Sequence, residues 1–202
     1  MYWFMREEFK EAFRRAQEIS KKITPTVEKM VRTADVIRIV EEETNIDVEF
    51  EEYDFAELSD SSGKKNRFAK YGAAMYVSGN DNHQKAQIIL NSRETPKMQR
   101  FSLIHELGHL ILQNMEKCDG YLFSTHIDMS LPSIEDEVML QNSFYVKEQQ
   151  ANIFALVVLI PPKALMEALE KHDSLDDIAR LFGVEKDAII SRIKLGFHED
   201  NS

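Results

Sequence analysis

The sequence predicts an α+β fold with helices at both ends of the chain, about three short strands between them, and a buried helix carrying chemically active side chains at its centre. Three observations predict it. Residues 2–22 and roughly 27–43 hold apolar side chains at helical spacing. Residues 46–53, 71–77 and 86–91 alternate or run apolar in strand-sized blocks. The run Arg100-Phe-Ser-Leu-Ile-His105-Glu106-Leu-Gly-His109-Leu-Ile-Leu-Gln113 then sets polar groups at fixed spacing inside an apolar helix.

In chain order, the first helix places Phe4, Phe9, Phe13 and Ala16 about four apart among Arg, Glu and Lys, so one face must pack on the domain or on a second subunit. Its mixed charges are unlike those of a membrane-surface helix. After Thr24-Pro25-Thr26, residues Val31, Ala34, Val36, Ile37, Ile39 and Val40 make a second helix, weakened by its β-branched end. Ile46–Tyr53 alternates apolar and acidic residues with the period of a half-buried strand. Residues 59–67 are polar and read as an exposed loop. Residues 71–77 and 86–91 are two more strands joined through the turn-rich Ser78-Gly-Asn-Asp-Asn-His83.

Glu94-Thr-Pro96 leads into the motif helix, where Phe101, Ile104, Leu107, Leu110 and Ile111 form a wide apolar face. Gly108 is about 1 kcal/mol worse than Ala in a helix interior, which implies a close neighbour there, a strand or the wall of the site. Residues 114–131 read as irregular, and Pro132-Ser133-Ile-Glu-Asp136 as a helix start with Ser133 as its cap. Residues 147–160 form a buried helix stopped by Pro161-Pro162, and residues 162–171 a short one. Residues 174–194 have the helix, glycine turn, helix rhythm of a helix-turn-helix.

The chain has 202 residues, 43% hydrophobic and 30% charged, a globular composition with room for a sizeable core. Its net charge of −10 repels phosphate backbones and argues against direct nucleic-acid binding. The single cysteine, Cys118, has no partner for an internal disulfide, which points to a reducing, cytoplasmic setting. The longest apolar run, residues 153–160, is too short to span a bilayer, so no membrane role is expected.

His105 and His109, four apart on a helix, project side by side one turn apart, as two ligands of one metal ion would. Glu106 then lies beside the ion, where a general base can reach a bound water. Zinc is the expected metal, because imidazole suits it and a catalytic zinc site takes three protein ligands with one open position. A third ligand must lie downstream. A histidine six residues past His109 would mark a metzincin, but Met115 stands there. Glu148 is the remaining candidate, since an acid beside a strongly apolar helix needs a compensating cation; a surface acid favoured by a helix N-terminus is the competing reading. Asn152, one turn on, can accept the free ring N–H of a ligand histidine. Ala151 and Ala155 are small enough to let the two helices approach closely. For the oxyanion donor, Tyr121, His126 and Tyr145 are candidates.

The motif run, followed by Glu148-x-x-Ala151-Asn152-x-Phe154-Ala155 and Ile160-Pro161, resembles the ImmA/IrrE family of metallopeptidases over roughly residues 70–195. The resemblance implies a minimal, thermolysin-like zincin core over residues 46–172, a helical extension over 1–45 and a C-terminal helical segment over 173–202 packed on the core. It also implies His105, His109 and Glu148 as zinc ligands and Glu106 as catalytic base. The 39 residues from His109 to Glu148 imply an insertion around 114–145, and Gln113 stands where many relatives carry a further histidine.

The implied activity is intracellular cleavage of a regulatory protein, such as a helix-turn-helix transcriptional repressor, often encoded nearby on a mobile element. The substrate is expected to extend along an edge strand near residues 86–91. Two alternatives stand beside this. One is a metal-stabilised module that sequesters a partner without cleaving it. The other is a DNA-binding regulator using residues 174–194, with Lys186, Arg192 and Lys194 as its cations; His83, His172 and His198 read as surface residues.

Overall fold

Residues 151–159 are apolar at nearly every position, so the helix they form has no wet face and belongs in the middle of the molecule. A computed structural model, describing residues 7–23, 30–58, 71–80, 83–113, 122–125, 143–172 and 174–196, places it there. This helix, α4 (Ser143–Leu159), is buried throughout residues 151–159. Helix α1 (Glu7–Ile23) packs along one side and α3 (Pro96–Gln113) along another.

The contact faces follow from spacing. Phe9, Ala12, Ala16 and Ile19 of α1 recur three and four apart and are all buried in the same core as α4. Helix α2 (Thr33–Thr44) buries Val36, Ile39 and Val40. It starts at Thr33, later than the sequence pattern indicated, and ends on Asn45 in the left-handed region at φ 56°, a conformation asparagine tolerates. Glu43 of α2 accepts hydrogen bonds from Arg15 and Lys22, tying α1 to α2.

Four strands form one mixed sheet in the order β1 (Ile46–Tyr53), β3 (His83–Asn91), β2 (Tyr71–Asn80), β4 (Leu122–Thr125). Strand β1 runs parallel to β3, while β2 is antiparallel to both β3 and β4. Three of these strands are the expected ones. The fourth, β4, lies in the stretch read as irregular, four residues being too short for a periodic signal.

The pairs Ala73 with Leu90, Met75 with Ile88 and Val77 with Ala86 bring six buried side chains onto one face of the sheet. Helix α3 lies across β2 and β3. The opposite face is polar, with Lys85 paired to Glu49 at 2.6 Å and Gln87 donating to Glu51. One expectation is corrected here. Residues 86–91 belong to β3, whose backbone is paired on both sides, by β1 and by β2, so no substrate strand can add there. The sheet's edges among the described residues are β1 and β4.

Helices α5 (Pro162–Lys171), α6 (Leu175–Phe182) and α7 (Lys186–Leu195) complete the chain. Ser174 caps α6 by accepting from the Asp176 amide, and Gly183 ends it at φ 63°, where a Cβ would be strained. Arg100 of α3 donates to the carbonyls of Phe182, Gly183 and Val31, fastening the motif helix to the end of α6. Arg192, read above as a cation available to DNA, is fully buried and donates to the carbonyls of Ile160 and Gly196. Lys186 is paired with Asp176 at 2.8 Å. Of the three cations of the supposed recognition helix, Arg192 is therefore buried in the fold and Lys186 is paired at the surface, while Lys194 is exposed. No single helix among the described residues is long and apolar enough to cross a membrane. The expected helix start at 132–136, together with Cys118, Tyr121, His126 and His198, lies outside the described residues.

Candidate metal centre

Helix α3 is buried on all sides from Phe101 to Leu110, so His105, Glu106 and His109 sit at 1%, 0% and 6% exposure. What lets α4 come so near is Gly108. A Cβ at that position would stand 3.1–3.2 Å from three atoms of Phe154, so the close neighbour anticipated from the sequence is a side chain of α4. Ala151 and Ala155 are fully buried on the same helix.

The two imidazoles meet edge to face, with ring centroids 4.7 Å apart and an interplanar angle of 81°. Their Nε2 atoms are 3.0 Å apart. Glu148 reaches across from α4 and presents one carboxylate oxygen to each ring, Oε2 at 3.4 Å from His105 Nε2 and Oε1 at 3.2 Å from His109 Nε2. Asn152 places Oδ1 2.9 Å from His105 Nδ1. An amide oxygen only accepts, so that Nδ1 carries a proton, and Nε2 is the nitrogen turned toward the carboxylate.

Bare lone pairs and a carboxylate converging without a cation would repel one another, and the spacing fits an ion. Ligands about 2.0–2.1 Å from a tetrahedral centre stand about 3.3 Å apart, a value that the observed 3.0, 3.2 and 3.4 Å bracket. His105, His109 and Glu148 can therefore hold a metal ion together.

The same convergence shapes the electrostatics. Burial alone would push the Glu148 carboxyl up, but hydrogen bonds to His105 and His109 and their positive charge outweigh it, holding the group well below the usual carboxylate range. Burial pulls the His109 imidazole down, while its hydrogen bond to Glu148, the fields of Glu106 and Glu148 and a hydrogen bond to Gln113 bring it above its ordinary value. The site thus stabilises positive charge at its centre.

The model of the IrrE N-terminal-like domain, peptidase family M78, matches residues 42–194. The chain belongs to this family. Membership makes the protein a peptidase of a metallopeptidase class, and the match spans the sheet, both motif helices and α5–α7. A comparison with curated proteins finds no match.

Of the residues singled out in the sequence, the structure brings together His105, His109, Glu148 and Asn152, with Glu106 on the same helix as the two histidines. Tyr145 lies one turn before Glu148 on α4, half-buried. His172 is exposed. Gln113, to which no role was assigned, donates to the Lys147 carbonyl of α4 at 3.2 Å.

Proposed function

We propose that the protein is a zinc-dependent endopeptidase of the cell interior that cleaves a regulatory protein. The observation that carries this reading is the convergence of His105, His109 and Glu148 at one point, with Glu106 buried at the position after His105 on the same helix. Neutral imidazoles and a carboxylate are the donor set that zinc takes in thermolysin-type peptidases. A zinc ion bound here supplies Lewis acidity toward a peptide carbonyl and makes water easier to deprotonate.

The chain's own residues do the rest. Asn152 keeps the His105 proton on Nδ1, and Glu148 closes the ligand set from the neighbouring helix. Glu106, fully buried at the adjacent helical position, takes a proton from the attacking water and passes it to the leaving amine. Its burial on a rigid helix leaves little reorganisation at the moment of reaction.

Resemblance to the ImmA/IrrE family supports a helix-turn-helix repressor as the substrate. The lone Cys118 supports a reducing compartment. The experiment is cleavage of such a repressor by wild type and Glu106→Gln, with zinc measured in both. Glu106→Gln should keep about one zinc per chain and lose roughly 10²–10⁴-fold in rate. Undiminished cleavage by Glu106→Gln would remove the reading. An intact repressor held in a stoichiometric complex by the zinc-loaded wild type would replace it with a sequestering module.

A further inference from the structure

Strand β1 is an edge of the sheet, and α2 closes only its first half. Backbone directions alternate along a strand, and the carbonyl of Tyr53 accepts from the Ser92 amide just past β3, so Asp47, Glu49, Glu51 and Tyr53 turn their backbone groups toward β3. Ile46, Val48, Phe50 and Glu52 turn theirs outward. The outward amide of Ile46 donates to Thr44 Oγ1 at 3.3 Å, and that of Val48 to Glu41 Oε1 at 2.9 Å. Among the described residues, nothing meets the outward N–H and C=O groups of Phe50 and Glu52.

The side chains along that open stretch are of two kinds. Phe50 stands opposite Ile88 in the register, on the face that carries the core, yet it is 51% exposed while Ile88 is fully buried. The helix layer stops short of it. Tyr53 is also exposed, at 44%. Glu52 shares the Phe50 face, Glu49 and Glu51 lie on the opposite one, and all three are exposed. Lys85 pairs with Glu49, but among the described residues no cation pairs with Glu51 or Glu52.

We infer that residues 49–53 of β1 are a docking edge for an extended, basic segment of another protein, which adds a strand to the sheet. The open backbone groups supply the hydrogen bonds. A strand laid against β1 alternates between the same two faces, so it sets apolar side chains beside Phe50 and lysine or arginine beside Glu49 and Glu51. A second copy of this chain fits badly, because pairing β1 with itself sets acid against acid. Proteins blunt an unwanted edge with short strands, prolines or bulges. Strand β1 has eight residues, no proline and an unbroken register with β3. Its acids therefore select, repelling a like strand and admitting a basic one. None of this depends on the metal centre.

The test is a fluorescence-anisotropy titration of the full chain with labelled acetyl-Lys-Val-Lys-Val-Lys-Val-amide, followed by amide hydrogen exchange. The peptide should bind, about 10-fold more weakly at 300 mM than at 50 mM salt. It should slow exchange of the Phe50 and Glu52 amides by about 10-fold or more. Phe50→Ser should weaken binding roughly 10-fold, through lost apolar burial. The double variant Glu51→Lys with Glu52→Lys should lose this peptide and take acetyl-Glu-Val-Glu-Val-Glu-Val-amide instead. Both variants change exposed side chains and should keep the wild-type melting temperature.

N-methylation of the peptide tests the backbone pairing without altering the protein. Methylating alternate amides along one side of the peptide should abolish binding, and along the other should leave it within about threefold. No binding of the Lys-Val peptide at millimolar concentration, unchanged binding by both variants, or equal effects of the two methylation patterns would overturn the inference. So would a dimer in sedimentation equilibrium whose formation protects these same amides, since the occupant would then be a second copy.

Discussion

Gly108→Ala sets two opposing effects against each other at the point where α3 touches α4. Replacing glycine by alanine in a helix interior gains about 1 kcal/mol of propensity. Against this, the new Cβ would lie 3.1 Å from Phe154 Cδ1 and 3.2 Å from its Cβ and Cγ. Phe154 is fully buried, and its Cβ is fixed to the α4 backbone, so relief requires α3 and α4 to separate by a few tenths of an ångström. Overpacking of this kind costs about 1–3 kcal/mol, so the net change is a loss of roughly 0–2 kcal/mol. For a chain of this size, that lowers the melting temperature by up to about 8 °C. The same separation moves the two imidazoles away from Glu148, now 3.2–3.4 Å from them, so zinc affinity should fall together with stability. Thermal unfolding by circular dichroism on metal-free protein and a zinc competition titration measure the two quantities. A melting temperature raised by about 2–4 °C with unchanged zinc affinity is what propensity alone would give, and it would refute the claim that Gly108 sets the interhelical distance.

Arg192→Met removes two charge-assisted hydrogen bonds, to the buried carbonyl of Ile160 and the part-buried carbonyl of Gly196. A loss of roughly 3 kcal/mol and a melting temperature lower by about 6–12 °C are expected, with zinc affinity unchanged; an unaltered melting temperature would show that the buried cation contributes nothing. Glu43→Gln weakens the tie between α1 and α2. Burial raises the Glu43 carboxyl, but hydrogen bonds from Lys22 and Arg15 outweigh it and hold the group below its ordinary value. A depressed carboxyl stabilises above its unfolded pKa of about 4.3 and loses that contribution as pH falls through the folded value. Wild type should therefore exceed Glu43→Gln by about 1 kcal/mol at pH 7 and converge with it below about pH 4 in urea unfolding curves. A gap that persists in acid would mean the contribution is not electrostatic.

Local features were legible because each has a local cause. The bounds of the strand Ile46–Tyr53 were readable from its period-two alternation, but not its burial: beyond Ile46 and Val48 the apolar positions Phe50 and Tyr53 are exposed. The ends of the β2–β3 hairpin were not: the letters Ser78 to His83 look like a turn, yet the ladder continues to Asn80 and resumes at His83. Sheet order was also hidden. Nothing in residues 83–91 states that β1 will pair with them in parallel, and that pairing converts an expected edge into an interior strand. Helix α4 explains another gap. A helix apolar on every side has no preferred face, so the sequence shows that it is buried without showing that α1 and α3 are what bury it.

The site was legible for a different reason, which also explains why it sits where it does. Ionisable groups are excluded from a core unless something compensates them, so Glu106 at 0% exposure and Glu148, on a largely apolar helix and turned to the histidines of α3, are anomalies that propensity and periodicity do not produce. A carboxylate and two imidazoles in one contact, in the field of a second buried carboxylate, stabilise the fold only with a cation among them or with protons supplied by the imidazoles. The depressed Glu148 carboxyl and the raised His109 imidazole are the second solution, the one open to the protein by itself. A divalent ion is the first, and it displaces those protons. The sequence thus encodes a core that is electrostatically incomplete at one point, and the helices α3 and α4 are packed closely enough, through Gly108, Ala151 and Ala155, that a single ion can complete it from both sides.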